Sequence, residues 1–168
     1  MATARASRTN KPKIAVDIRV EAGDWPPRAD LKSLVRRVVD AAAVSVPATS
    51  GGELSLLFTD DAHIRRLNRR HRNIDRPTNV LSFPAAATAG DHFGAVLGDI
   101  VVACETLRRE AQARGLTIEA HLTHLLLHGF LHILGYDHAD EAEALAMERL
   151  ETEILGDLGI DDPYAGTH

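Results

Sequence analysis

The residues of this chain best suited to chemistry are three histidines in the run His128-Gly129-Phe130-Leu131-His132-Ile133-Leu134-Gly135-Tyr136-Asp137-His138. On a helix, positions four apart lie within about 40° of each other around the axis and about 6 Å along it, so His128 and His132 can aim their imidazoles at one ion. Gly135 stands where a helix stop is needed, because glycine takes the left-handed cap conformation without a Cβ penalty. The chain can then turn back and bring His138 into reach. Three neutral imidazoles with one position left open are the composition of a catalytic zinc site, in which the ion lowers the pKa of a bound water to about 7. The expected cofactor is therefore zinc, one ion per chain, held by His128, His132 and His138.

The same spacing occurs in the metzincin proteases, H-E-x-x-H-x-x-G-x-x-H, except that Gly129 stands where they carry the general-base glutamate. A zinc peptidase is thus a rival reading with its base missing. A glycine inside a helix costs about 1 kcal/mol relative to alanine, which predicts that something approaches the backbone between the two ligands, a bound substrate being one candidate. His124 continues the row but lies about 12 Å along the axis from His132, too far to share an ion on a straight helix. It reads either as a support for the site or as a core histidine, and His121 as a surface residue. Asp137 either orients a ligand imidazole or simply forms the turn.

The residues His124-x-x-x-His128-Gly129-x-Leu131-His132-x-x-Gly135-Tyr136-Asp137-His138 resemble the signature of the YbeY family, metal-dependent endoribonucleases that act in ribosomal RNA maturation. A second block, Leu67-Asn68-x-x-x-Arg72-x-x-Asp75-x-Pro77-Thr78-Asn79-Val80-Leu81-Ser82-Phe83-Pro84, is similar to that family too, as is Leu97-Gly98-Asp99-Ile100. The resemblance implies a single-strand-specific endoribonuclease, a hydrolase of RNA phosphodiester bonds, acting in 16S ribosomal RNA 3′-end maturation and ribosome quality control. It implies a ribosomal RNA precursor as substrate, the ribosomal small subunit or associated proteins as partners, and a cytoplasmic location. It singles out Arg72 as the catalytic cation that neutralises charge building on phosphorus, the attacking oxygen being a water or the ribose 2′-hydroxyl. A non-catalytic ribosome-assembly protein with a structural zinc is the other rival, although such a site normally has four protein ligands.

Composition bounds these readings. With 168 residues the chain is about one domain, long enough to bury a core without disulfides. The single cysteine, Cys104, excludes an internal disulfide and a cysteine-based zinc site, and suits a reducing cytosol. No apolar run is long enough to span a bilayer, and the start has no apolar signal-peptide core, so no membrane partner is expected. A net charge of −5 argues against attachment to nucleic acid through the overall field, so RNA contact requires a local patch. One patch exists: Arg65, Arg66, Arg69 and Arg70 on the outer face of a helix, continued by Arg72 and Arg76 in the loop from His71 to Asn79. Arg69 and Arg70 are candidate substrate contacts, with a solvated helix face as the plainer account.

These groups must be carried by elements that hydrophobic periodicity lays out in order. Residues 1–12 read as a flexible leader. A strand follows with Ile14, Val16, Ile18 and Val20 alternating, and then a helix capped by Asp30 with Leu31, Leu34, Val35, Val38, Val39 and Ala42 inward. Strands are expected at Leu54–Phe58 and Val80–Phe83, with the arginine helix between them, capped by Thr59 or Asp60. Ala85 to Gly94 reads as a flexible loop. Ala95 to Val102 is nearly continuous in apolar residues and reads as a central strand buried on both faces. Asp99 would then be a buried carboxylate, bonded to nearby backbone or orienting a metal-bound histidine. A helix over Ala103–Ala113 ends at Gly115, the motif helix starts at Thr117 and is apolar almost all round, and a last helix from Asp140 buries Ala144, Met147, Leu150, Ile154 and Leu155. The order predicts one α+β domain over residues 13–156, a small mixed β-sheet covered by helices, with the metal site on a central buried helix and a tail at 157–168.

Overall fold

A computed structural model describes residues 13–46, 51–85 and 96–163, and within them β1 (Ala15–Val20), α1 (Arg28–Ser45), β2 (Glu53–Thr59), α2 (Asp61–Arg72), β3 (Val80–Pro84), β4 (Val96–Ala103), α3 (Cys104–Arg114), α4 (Ile118–Ile133) and α5 (Glu141–Asp157). The expected leader, nearly all of the Ala85–Gly94 loop, part of the Pro47–Gly52 turn and the end of the tail lie outside these residues. The strands form one mixed sheet in the order β1-β2-β4-β3, with β1, β2 and β4 parallel and β3 antiparallel to β4. The fold is α+β, as the element order predicts. Among the described residues no helix is long and apolar enough to cross a membrane.

One face of the sheet carries the main core. Ile18, Leu54, Leu56, Phe58, Ile100 and Val102 meet α1 and α4, and α5 closes the layer with Met147, Ile154 and Leu155. The six residues expected on the inner stripe of α1 are all buried, as a 3.6-residue period requires. The helix starts earlier than Asp30, however: Pro27 is the N-cap, its carbonyl accepting from Asp30 and Leu31 N–H, and Asp30 sits in the first turn, where a carboxylate favours the dipole.

The other face is only partly covered. There α2 lays Ile64 over Leu81, Val101 and Ala103 and leaves Asp99 exposed. Burial of β4 on both faces therefore holds for most of the strand and fails at its first residue, Val96, and at Asp99. Its register partners are Ser55 and Phe83, and its side chain opens onto a groove shared with Asp17, Arg19, His63 and His71, on the opposite side of the sheet from α4.

Two glycines let α4 settle onto β3 and β4. A Cβ on Gly98, whose φ is +152°, would stand 2.5 Å from the Phe83 carbonyl oxygen and 2.6 Å from Ile133 Cδ1. A Cβ on Gly129 would stand 3.0 Å from Ser82 Oγ and 3.2 Å from Ile100 Cγ2. The group that approaches Gly129 is thus the sheet itself, and a substrate is not needed to explain that residue.

Candidate metal centre

The site is built on the last two turns of α4 and on the way that helix ends. Thr117 starts the helix by accepting the Ala120 N–H at 3.1 Å. At the other end Gly135, with φ +103°, closes a Schellman turn in which its N–H bonds the His132 carbonyl and the Tyr136 N–H bonds the Leu131 carbonyl, both at 3.0 Å. The reversal carries His138 back to the helix. Ring centroids of His128 and His132 are 4.6 Å apart, and each lies 5.3 Å from that of His138. One ring nitrogen from each falls within 4.8 Å of the other two, a group that could hold a metal ion.

Hydrogen bonds decide which nitrogens face inward. His132 Nδ1 lies 2.8 Å from the Tyr136 carbonyl, which can only accept, so that nitrogen carries the proton. His128 Nδ1 lies 2.5 Å from a carboxylate oxygen of Glu151 and donates in the same way. Both Nε2 atoms are then bare, and they face one another at 3.0 Å. Two lone pairs so placed repel unless a cation sits between them. Imidazole nitrogens bound at 2.0–2.1 Å to one tetrahedral ion would stand roughly 3.3 Å apart, so the observed pair is within a few tenths of an ångström of that arrangement. Burial, and then the neighbouring His128, hold the His132 pKa below its ordinary value, which keeps the ring neutral and its lone pair available. The donor set therefore fits a divalent ion such as zinc.

Glu151 is the residue against these histidines that the sequence reading missed. It is fully buried on α5 and bonds His128 through Oε1 and His124 through Oε2 at 3.1 Å. Its signal was present in the periodicity: it lies four residues after Met147 and three before Ile154, on the face that α5 buries. A charged residue at a core position of an otherwise regular stripe marks a partner waiting opposite.

His124 is half-buried beside the site and is held by Glu151 instead of joining the three converging imidazoles. His121 is 2% exposed, with Nε2 3.1 Å from Glu110, so the surface expectation fails: α3 packs over that side of α4 and supplies a polar partner. Burial lowers its pKa despite Glu110. Asp137 accepts the backbone N–H of His138 at 2.7 Å, setting the backbone on which a ligand candidate stands and not the ring of one. Asp99 lies across the sheet and takes no part.

A cleft of about 700 Å³ runs past His124, His128 and His132, and Arg72 lines it. Arg72 is the final residue of α2, and its Nη2 donates to the Ser82 carbonyl of β3 at 3.4 Å. The segment after it is held in place: Asn73 takes the left-handed conformation at φ 58°, Asn68 donates to the Arg76 carbonyl at 2.9 Å, and Arg65 pairs with Asp75. Arg69 and Arg70 stand exposed on α2, outside the cleft lining. The lining also includes Asn79, from the second motif block, and Glu110 and Arg114, which sequence reasoning did not pick out as site residues.

The model of the family described as Endoribonuclease YbeY matches residues 17–159. Curated relatives bear the same name. One from Sinorhizobium medicae is 54% identical over 157 residues, covering 89% of this chain and 94% of its own length. Another from Rhodopseudomonas palustris is 48% identical over 164 residues, covering 96% of this chain and 86% of its own. A solution structure of a Thermotoga maritima protein superimposes with a TM-score of 0.53 at 24% identity, over 84% of this chain and 91% of that one, a likeness of fold. The family match runs from β1 past the end of α5 and so takes in the sheet, the histidine helix and its turn together; the chain belongs to the YbeY family.

Proposed function

We propose that this protein is a zinc-dependent endoribonuclease that cuts single-stranded RNA, with one ion held by His128, His132 and His138 and with Arg72 as the catalytic cation. The name that the relatives bear, Endoribonuclease YbeY, supports the reaction. The observation that carries the site is the convergence of the His128 and His132 Nε2 atoms at 3.0 Å in the cleft that Arg72 also lines. Zinc bound there would supply Lewis acidity, acidifying water or polarising a phosphoryl oxygen.

The chain's own residues do the rest. Arg72 has a planar guanidinium suited to paired contact with two phosphate oxygens, it lines the same cleft as His128 and His132, and the segment behind it is tied down by the Asn68–Arg76 and Arg65–Asp75 contacts. Charge gathering on a phosphorane in a partly dry cleft is stabilised there by a few kcal/mol. Exposed Arg69 and Arg70 would draw the neighbouring backbone of a single strand toward the cleft. Gly129 is pressed against Ser82 and Ile100 and offers no carboxylate, which disfavours peptide hydrolysis. The resemblance of the motif blocks further supports a cytoplasmic role on ribosomal RNA precursors, at the 16S 3′ end, in contact with the small subunit or associated proteins.

Elemental analysis of protein purified without added metal, combined with cleavage assays on single-stranded and duplex RNA, tests this. About one zinc per chain, preference for the single strand, and loss of both metal and cleavage in His132→Ala are expected. Unchanged metal content in that variant, or RNA turnover that survives chelation, would overturn the assignment.

A further inference from the structure

We infer that Glu151 is a positioning residue of the metal centre, whose carboxylate sets the tautomer of His128 and ties His124 to it, so that the ion-binding nitrogens are aimed before an ion arrives. The inference rests on the proposed metal role of His128, His132 and His138. It begins from an anomaly of packing. Met147, Ile154 and Leu155 make the inner face of α5 apolar, and Glu151 among them is fully buried. A carboxylate in such a place destabilises the fold unless its oxygens are bonded, and an apolar side chain of similar volume would close the layer at less cost. Its presence calls for a role that an apolar residue cannot fill.

The contacts identify that role. Oε1 lies 2.5 Å from His128 Nδ1 and Oε2 lies 3.1 Å from His124 Nε2. Because the carboxylate accepts, the proton of a neutral His128 resides on Nδ1 and the lone pair is directed through Nε2 toward His132. The Tyr136 carbonyl does the same for His132 from the other side. Two independent acceptors, one from α5 and one from the turn after α4, thus hold two lone pairs face to face. Glu151 has a further consequence. His124, His128 and Glu151 together form a second group that could hold an ion, but Glu151 engages the two histidines at hydrogen-bond lengths, which closes that group and leaves the His128, His132 and His138 group open.

Long-range proton–nitrogen correlation spectra of the metal-free wild type read imidazole tautomers directly. His128 and His132 should both be protonated on Nδ1. In Glu151→Met, which replaces the carboxylate by an apolar chain of similar length, thermal stability of the metal-free protein should be kept or raised, the His128 tautomer should shift toward Nε2–H, and zinc affinity from chelator competition should fall about 10- to 100-fold. Glu151→Gln should lose less affinity, because its amide oxygen still accepts from Nδ1–H. A wild-type His128 protonated on Nε2, two ions bound per wild-type chain, or wild-type zinc affinity in folded Glu151→Met would each overturn the role of Glu151. The wild-type spectrum decides even if Glu151→Met does not fold. Failure of the wild type itself to bind zinc would instead bring down the metal reading, and this inference with it.

Discussion

The Nδ1–H of His132 donates to the Tyr136 carbonyl at 2.8 Å, so the turn that ends α4 also aims an imidazole that α4 carries. Imidazole direction and helix termination are one local device here. Gly135 closes the turn at φ +103°, and a Cβ there would meet nothing within 4 Å, so a substitution acts through backbone conformation alone.

Gly135→Ala should therefore cost about 1 kcal/mol of stability, the usual penalty for a side chain in the left-handed region. It should weaken zinc binding as well, because the Tyr136 carbonyl moves with the turn. Thermal melts and chelator competition measure the two effects, and a variant of lowered stability with unaltered metal affinity would separate the turn from the ligand.

Arg72 is exposed, and its hydrogen bond to the Ser82 carbonyl is long at 3.4 Å. Arg72→Ala should keep its zinc and stay within about 1 kcal/mol of wild-type stability. Cleavage of single-stranded RNA should fall by about a hundredfold or more, the scale for removing one charge-stabilising donor from a transition state. Arg72→Lys should recover part of that, having the charge without the fork. Wild-type turnover of Arg72→Ala at saturating substrate would reduce Arg72 to a solvated charge.

The fit of α4 to the sheet can be probed at Gly129. Alanine gains about 1 kcal/mol in helix propensity, but its Cβ would crowd Ser82 Oγ at 3.0 Å and the buried Ile100 at 3.2 Å. Ser82 can turn away only by giving up its 3.2 Å bond to the Gly129 carbonyl, and Ile100 sits on a central strand. Gly129→Ala should cost about 1 to 2 kcal/mol net, and less in a Ser82→Ala background. Denaturant titrations of the four proteins of that cycle supply the coupling. Equal costs in both backgrounds would mean that Ser82 is not the obstacle.

Gly129 also bears on substrate choice. With the sheet against that residue and no carboxylate on it, casein and short peptides should not be cleaved. Peptide turnover that follows zinc content and disappears in His128→Ala would show that another group acts as base.

Away from the site, Asp61 links the starts of α2 and α3. Its carboxylate accepts from Thr106 N–H and Oγ–H and from Arg109, while its own N–H donates to Glu105. Burial alone would raise its pKa, yet the bonds from Thr106 and Arg109 outweigh this, and the pKa lies below the ordinary 3.8. The folded state then binds fewer protons than the unfolded one. The stability this confers is fully present above the ordinary carboxylate pKa and disappears as pH falls through the lowered one. Asp61→Asn should melt lower than wild type at pH 7, with the gap narrowing below about pH 4. A gap that stays constant with pH would assign the effect to shape rather than charge.

What the sequence determined by itself is what acts over a turn or two of chain. The His128–His132 pair, the Gly135 stop, the Thr117 and Asp140 caps and the stripe of α1 depend on helical period and on backbone groups a few residues away, and all are present in the structure. Tertiary structure decided what stands opposite. Glu151 meets His128 from 23 residues along the chain, Ser82 meets Gly129 from 47, and Glu110 on a neighbouring helix keeps His121 company in the interior. Asp99 faces away from α4 because alternation along β4 sends it through the sheet, where α2 does not reach. Period reveals that a face is buried; the partner that fills it is chosen by the packing of elements whose separation in sequence carries no record of their distance in space.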